Sequence, residues 1–212
     1  MKTKILLAFA ILVCAAITSS AQVNEGRYLL GGNSGFYKNQ PSGESTSEVF
    51  NTNIQFGKVI KDNTVAGIFL SFGYSNGVQY KMNQFGAGVF YRKYKPLAKD
   101  LYFFGEGDAL YNYSKTTQND FQIGSSGTRN SFNGGSLSFI PGISYSICKR
   151  MQMELAMPNL VSLSYGVSKN ETTNTGTSAV SSQKINNFSA GVTLNSNLLY
   201  SFGIGFKFLL GK

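Results

Sequence analysis

The chain of 212 residues has no histidine, no tryptophan, two cysteines and four prolines. Without histidine there is no Ser-His-Asp or Cys-His hydrolysis, no His-ligated metal or haem, and no His general base. Charged residues are also scarce, at 14% of the chain, with 19 Lys and Arg against 10 Asp and Glu. Long apolar runs are missing except for one, from Ile5 to Ile17. That run is too short for a spanning helix, which takes about 18 or more apolar residues. It follows Lys2 and Lys4 and leads into Thr18-Ser19-Ser20-Ala21. A basic start, a short apolar stretch and small residues at −3 and −1 make a secretory signal peptide over residues 1–21, cleaved after Ala21. Cys14 would become a lipidated N-terminus in a lipoprotein, but Val13 stands where a small residue is wanted, and the cut would fall inside the apolar run. With the leader removed, Cys148 is the one cysteine left, so no internal disulfide is expected.

What remains, residues 22–212, is expected to form a single domain rich in Gly, Ser, Asn, Tyr and Phe. That composition is poor for helices and good for strands and turns. Apolar residues recur with period 2. In the last segment Phe188, Ala190, Val192, Leu194, Tyr200, Phe202, Ile204, Phe206 and Phe208 alternate with Ser189, Gly191, Thr193, Asn195, Ser201, Gly203, Gly205 and Lys207. A strand puts the two sets on opposite faces, whereas a helix would scatter them. The same reading marks eight strands, over 27–37, 48–60, 64–75, 82–94, 101–114, 135–147, 151–168 and 188–208. Their connections alternate. Those at 61–63, 95–100 and 148–150 are tight, while 38–47, 116–134 and 169–185 are long and rich in Ser, Thr, Asn and Gly; the Asn76-Gly77 link alone is short on the long-loop side. Eight antiparallel strands then place every tight turn at one end and the long loops at the other. An up-and-down membrane barrel has this form, with short periplasmic turns and longer outside loops.

The apolar face decides between a membrane barrel and a soluble ligand-carrying one. It is too bulky for an eight-stranded lumen, which barely holds side chains. The opposite face carries Gly57, Gly73, Gly86, Gly88, Gly142, Gly166, Gly191, Gly203 and Gly205, small residues suited to a narrow interior. The bulky face therefore points to lipid, with Tyr28, Tyr91, Phe103, Tyr113 and Phe206 in the interface girdles.

LGGNSGFY (30–37), VAGIFLSFGYSNG (65–77), FGAGVFYRKYKPL (85–97), LYFFGEGDALYNYS (101–114), YSICKRMQMEL (145–155) and FGIGFKF (202–208) follow one another in an order and spacing that resembles a known family. The chain is similar, over essentially its whole exported length, to the small outer-membrane β-barrel domain proteins of Gram-negative bacteria, of the OmpA/OmpX type. The resemblance implies an all-β, eight-stranded antiparallel up-and-down transmembrane β-barrel in the cell outer membrane. It also implies a monomer inserted by the outer-membrane assembly machinery, which reads a terminal strand ending in an aromatic. Phe208 is followed here by Leu209-Leu210-Gly211-Lys212, and Pro158-Asn159 interrupts strand seven, so two departures mark this chain. A proline inside a closed barrel calls for a bulge or an early strand exit. Barrel enzymes of the acyltransferase, deacylase and omptin kinds use a catalytic histidine, which this chain lacks, so no enzyme is expected.

Arg92, Glu106, Asp108 and Glu154 share the lumen-facing parity. In a filled lumen they are expected to pair as a structural plug of salt bridges, since unpaired charges there are costly. A proton or ion relay, or a gate, is the alternative. Glu106 and Asp108 lie two apart on one strand with no room for a sugar between them, which excludes glycosidase chemistry. The cations Lys58, Lys61, Lys93, Lys95, Lys99, Lys149, Arg150 and Lys207 gather at the tight-turn side. They are expected to contact lipid headgroups at the inner rim rather than nucleic acid. Gly203-Ile204-Gly205 precedes no helix, so no phosphate-cradling loop is present and no cofactor or metal site is expected. The expected role is structural, or contact with other surfaces through the long loops. The alternatives are a narrow channel for small or apolar solutes and a soluble secreted ligand-binding barrel.

Overall fold

The computed structural model describes residues 23–39, 47–77, 80–118, 127–157, 160–173, 180–192 and 203–211. The signal peptide reading lies outside them. Ten β segments occur in chain order: β1 (Tyr28–Asn39), β2 (Ser47–Lys61), β3 (Thr64–Asn76), β4 (Tyr80–Ala98), β5 (Leu101–Gln118), β6 (Gly127–Cys148), β7 (Met151–Ala156), β8 (Val161–Thr173), β9 (Val180–Val192) and β10 (Gly203–Leu210). β7 and β8 both pair with β6 and make one stave of the wall. β9 pairs with β8, and β10 with β7, so these two make another. The ring closes where β10 pairs with β1, from Tyr28 opposite Leu210 to Gly32 opposite Phe206. The result is a closed eight-stave barrel with every neighbouring pair antiparallel.

The period-2 pattern sets the facing. Ile54, Phe56, Ile68, Leu70, Phe85, Val89, Tyr111, Leu137, Phe139, Leu163, Tyr165 and Ile204 are all exposed, and they encircle the wall as an apolar belt. The girdle residues Tyr28, Tyr91, Phe103, Tyr113 and Phe206 are exposed as well. In a protein bathed by water on all sides such a belt would be far larger than the apolar patches that monomers show. Facing lipid, it needs no cover.

The interior is not merely small and polar. Val23, Leu29, Val59, Val65, Phe69, Phe90, Tyr94, Tyr102, Phe104 and Leu209 form a buried cluster inside the tight-turn end. The inward glycines make room for these rings. A Cβ on Gly88 would stand 2.5 Å from Phe69 Cζ, and one on Gly57 would stand 2.8 Å from Phe90 Cζ. Phe69 thus lies across a glycine of the neighbouring strand, while Phe90 lies across Gly67 of the neighbouring strand and reaches Gly57 one strand further on. The chain before β1 completes the seal: the Gly26 and Asn63 amides donate to the carbonyls of Val59 and Val23, and Val23 is buried.

Two-residue turns at 62–63, 99–100 and 149–150 join the strands at this end, tighter than the six-residue connection read for 95–100. Each adjoins a register shift, at Val59/Lys61, Pro96/Ala98 and Ser146/Cys148. Asn63 takes a positive φ of 61° to close the first. Asn tolerates that region better than most non-glycine residues.

The loops of the sequence reading shrink at the opposite end. β5 runs on to Gln118 and β6 starts at Gly127, while β8 runs to Thr173 and β9 starts at Val180. Most of the 116–134 and 169–185 stretches is therefore strand. The physical reason is that β5 and β6, at 18 and 22 residues, exceed the 9–11 or so that cross a bilayer. Beyond the membrane both faces meet water, the apolar alternation lapses, and only the backbone ladder holds the strands. The single 188–208 strand is also revised: β9 reaches back to Val180, and β10 covers Gly203–Leu210. Pro158 and Asn159 lie outside the described residues. On either side of them, Ala156 pairs with Gly142 and Val161 with Phe139, so β7 ends and β8 begins on adjacent stretches of β6.

Candidate functional site in the lumen

Directly above the aromatic floor lies a layer of charge. Arg92 on β4 stands directly opposite Glu106 on β5 in the ladder. Its Nε donates to Glu106 Oε2 at 2.5 Å, and its Nη1 donates to Glu154 Oε1 at 2.5 Å and to Tyr94 Oη at 3.0 Å. The Tyr94 hydroxyl donates to Glu154 Oε1 at 3.2 Å. Gln55 Nε2 donates to the other oxygen of Glu106 at 3.0 Å. Lys207 Nζ donates to Gln55 Oε1 and lies 3.9 Å from Glu154 Oε2. Arg92, Glu106, Glu154, Lys207 and Gln55 are all buried.

The guanidinium carbon of Arg92 sits 4.4 Å from the centre of the Phe104 ring. Arg92 is thus the joint between floor and charge layer. Its underside rests on an aromatic face, where a cation is attracted to the ring quadrupole. Its N–H groups meanwhile satisfy two carboxylates across the lumen. Two cations face two anions here, so the layer is internally neutral, as a buried ionic cluster must be to persist.

Three of the four lumen residues read from the sequence, Arg92, Glu106 and Glu154, meet in this cluster. Asp108 does not join it by a salt bridge. It lines the cavity above the layer, and its Oδ1 is buried without a hydrogen-bond partner in the protein. Lys207 belongs to the cluster, which corrects its placement at the inner rim. On β10 it has the parity of Gly203 and Gly205 and so points inward, and that alternation was the signal for it. Gln55 and Tyr94 were likewise passed over, although each has the inward parity of its strand.

The cavity above the charge layer holds about 300 Å³. Asn33, Asn53, Ser71, Gln84, Asp108, Ser136 and Ser138 line it, with Arg92, Glu106, Glu154 and Lys207 as its base. Among the described residues no group of three or more Cys, Asp or Glu side chains is placed to hold a metal ion. Chemically the arrangement is a lock: every charge in the layer is committed to another, beneath a polar cup.

The fold is that of a small outer-membrane barrel. The outer membrane protein OprG from Pseudomonas aeruginosa superposes with a TM-score of 0.52 at 12% identity, over 92% of this chain and 100% of that one. A major outer membrane protein from Thermus thermophilus gives a TM-score of 0.48 at 8% identity, over 87% and 99%. No protein-family model and no curated protein matches the chain. The lipid-facing belt and the shared fold together put the protein in an outer membrane.

Proposed function

We propose that the protein is a non-enzymatic outer-membrane barrel with a sealed lumen. It strengthens the membrane and presents the tall β5–β6–β8–β9 side of its wall, with the connections above it, to other surfaces or proteins. It works as a monomer whose other partners are the membrane lipid and the assembly machinery. The observation that carries this reading is the double seal under the lumen cavity, an aromatic floor capped by a mutually satisfied charge layer. A solute entering from the long-connection side meets buried ion pairs. Opening a path would separate charges in a low-dielectric interior, at a cost of several kcal/mol. The barrel reconstituted into a planar bilayer should show no stepwise conductance in simple salt. Stable unitary currents from the wild-type protein would overturn the sealed reading in favour of a narrow channel.

A further inference from the structure

Past the girdle, the lipid-side face of the tall wall changes character. Lys81 on β4, Lys115 on β5, Arg129 on β6, Lys169 on β8 and Lys184 on β9 all have the parity of the apolar belt on their strands. The ladder arranges them in two rows. Lys115, Ser131, Lys169 and Lys184 form one, and Lys81, Thr117, Arg129, Glu171 and Ser182 the next. With neighbouring strands about 4.8 Å apart, three lysines share one row within about 15 Å. Like charges placed directly opposite, as Lys169 and Lys184 are, disfavour a sheet unless something answers them.

Glu171 is the one acid on this face among the described residues, and it is already engaged, 2.5 Å from Lys169 Nζ. That hydrogen bond and charge hold its carboxyl below the usual range, and Arg129 and Lys115 pull the same way. Five cations against one acid leave an excess of four. Among the described residues the opposite wall has no such excess, since Lys38 and Glu48 on β1 and β2 neutralise each other at 3.1 Å. The cationic face is also continuous with the membrane belt. Lys115 is two residues above Tyr113, and Lys81 lies 5.8 Å from the ring centre of Tyr74. Its charges therefore stand at the level where the belt ends and lipid headgroups begin.

We infer that this crescent of Lys81, Lys115, Arg129, Lys169 and Lys184 is a binding surface for the phosphate groups of a phosphorylated glycolipid in the outer leaflet. The inference rests on the long-connection end facing outward, not on whether the lumen is sealed. Fixed cations at the headgroup level meet phosphates without new desolvation of an apolar surface. Each contributes about a fivefold gain in affinity, converted from about 1 kcal/mol per basic residue near an anionic surface.

The test uses the folded full-length barrel in neutral detergent. Purified lipid A is titrated against wild type and against a Lys115→Gln/Arg129→Gln/Lys184→Gln variant, which leaves the Lys169–Glu171 pair intact. Heat-modifiable gel migration verifies that both are folded. The variant should bind lipid A about a hundredfold more weakly, and Lys38→Gln should bind as wild type does. Equal binding by the triple variant would overturn the inference. So would equal binding of enzymatically dephosphorylated lipid A, which would mean that the apolar belt alone holds the lipid. Phosphatidylglycerol binding as tightly as lipid A would reduce the surface to a general anion attractor. Inorganic phosphate displacing the lipid at micromolar concentration would make it a free-phosphate site. Either result would reject the glycolipid assignment.

Discussion

Near the short turns, β4 and β5 send Phe90, Arg92, Tyr94, Tyr102, Phe104 and Glu106 into the lumen, all buried. At the other end of the same two strands the inward positions are Met82, Gln84, Thr116 and Gln118, none of them buried. The backbone ladder is continuous between the two ends. What differs is what the side chains are asked to do. In the lower half the interior must be filled, and aromatics laid over glycines fill it at high density. In the upper half the inner face lines the cavity and the open end of the lumen, so polar side chains suffice there and packing imposes little. Stability should therefore be concentrated in the lower half and substitution tolerance in the upper.

The strongest way to break that contrast is Arg92→Ala, which strands Glu106 and Glu154 around one remaining cation. Unfolding by urea in lipid vesicles should show a loss of about 3–5 kcal/mol. Adding Glu106→Gln should restore part of it, because an orphaned charge is removed with its partner. Strictly additive effects in this double-mutant cycle would mean that the pair is not coupled. Leu70→Arg tests the belt at mid-membrane and should cost about 2–4 kcal/mol in the same assay. Unimpaired folding into bilayers would reverse the assignment of inside and outside.

A finer probe is Gly88→Ala. Its methyl group would stand 2.5 Å from the Phe69 ring, and overpacking of this kind costs about 1–3 kcal/mol. Gly107, with nothing within 4 Å of a Cβ, should accept alanine without measurable loss. Equal effects at the two glycines would show that the rings do not depend on them. Smallest of all, Asn130→Ala in the upper wall should stay within about 0.5 kcal/mol of wild type. A larger loss there would mean that the upper half carries structure of its own.

Much of this was legible in the sequence because side-chain parity is a local property of an extended backbone. Phe85, Val89 and Tyr91 could be set apart from Gln84, Gly88 and Arg92 by counting along β4 alone. The lumen aromatics were harder to read, since Phe69, Phe90 and Phe104 sit among glycines whose inward parity suggested emptiness. Those glycines mark the places where a neighbour's ring comes to rest, which a single strand does not reveal. Lys207 was obscured by its nearness to the chain end and by the other basic residues of the rim, although its own alternation pointed inward.

The sequence by itself determined that the protein is a strand-built barrel with an apolar exterior, short turns at one end and long connections at the other, because these follow from period, turn composition and length. Only the tertiary structure decided which inward residues meet. Arg92 finds Glu154, 62 positions away, and Lys207 finds Gln55, 152 positions away. Such meetings depend on the register in which β10 closes onto β1 and on the width of the ring, neither of which any one strand encodes. Tertiary structure also decided how far β5, β6, β8 and β9 rise past the membrane. There the backbone hydrogen bonds hold the strands together, and they form whichever polar side chains the strands carry.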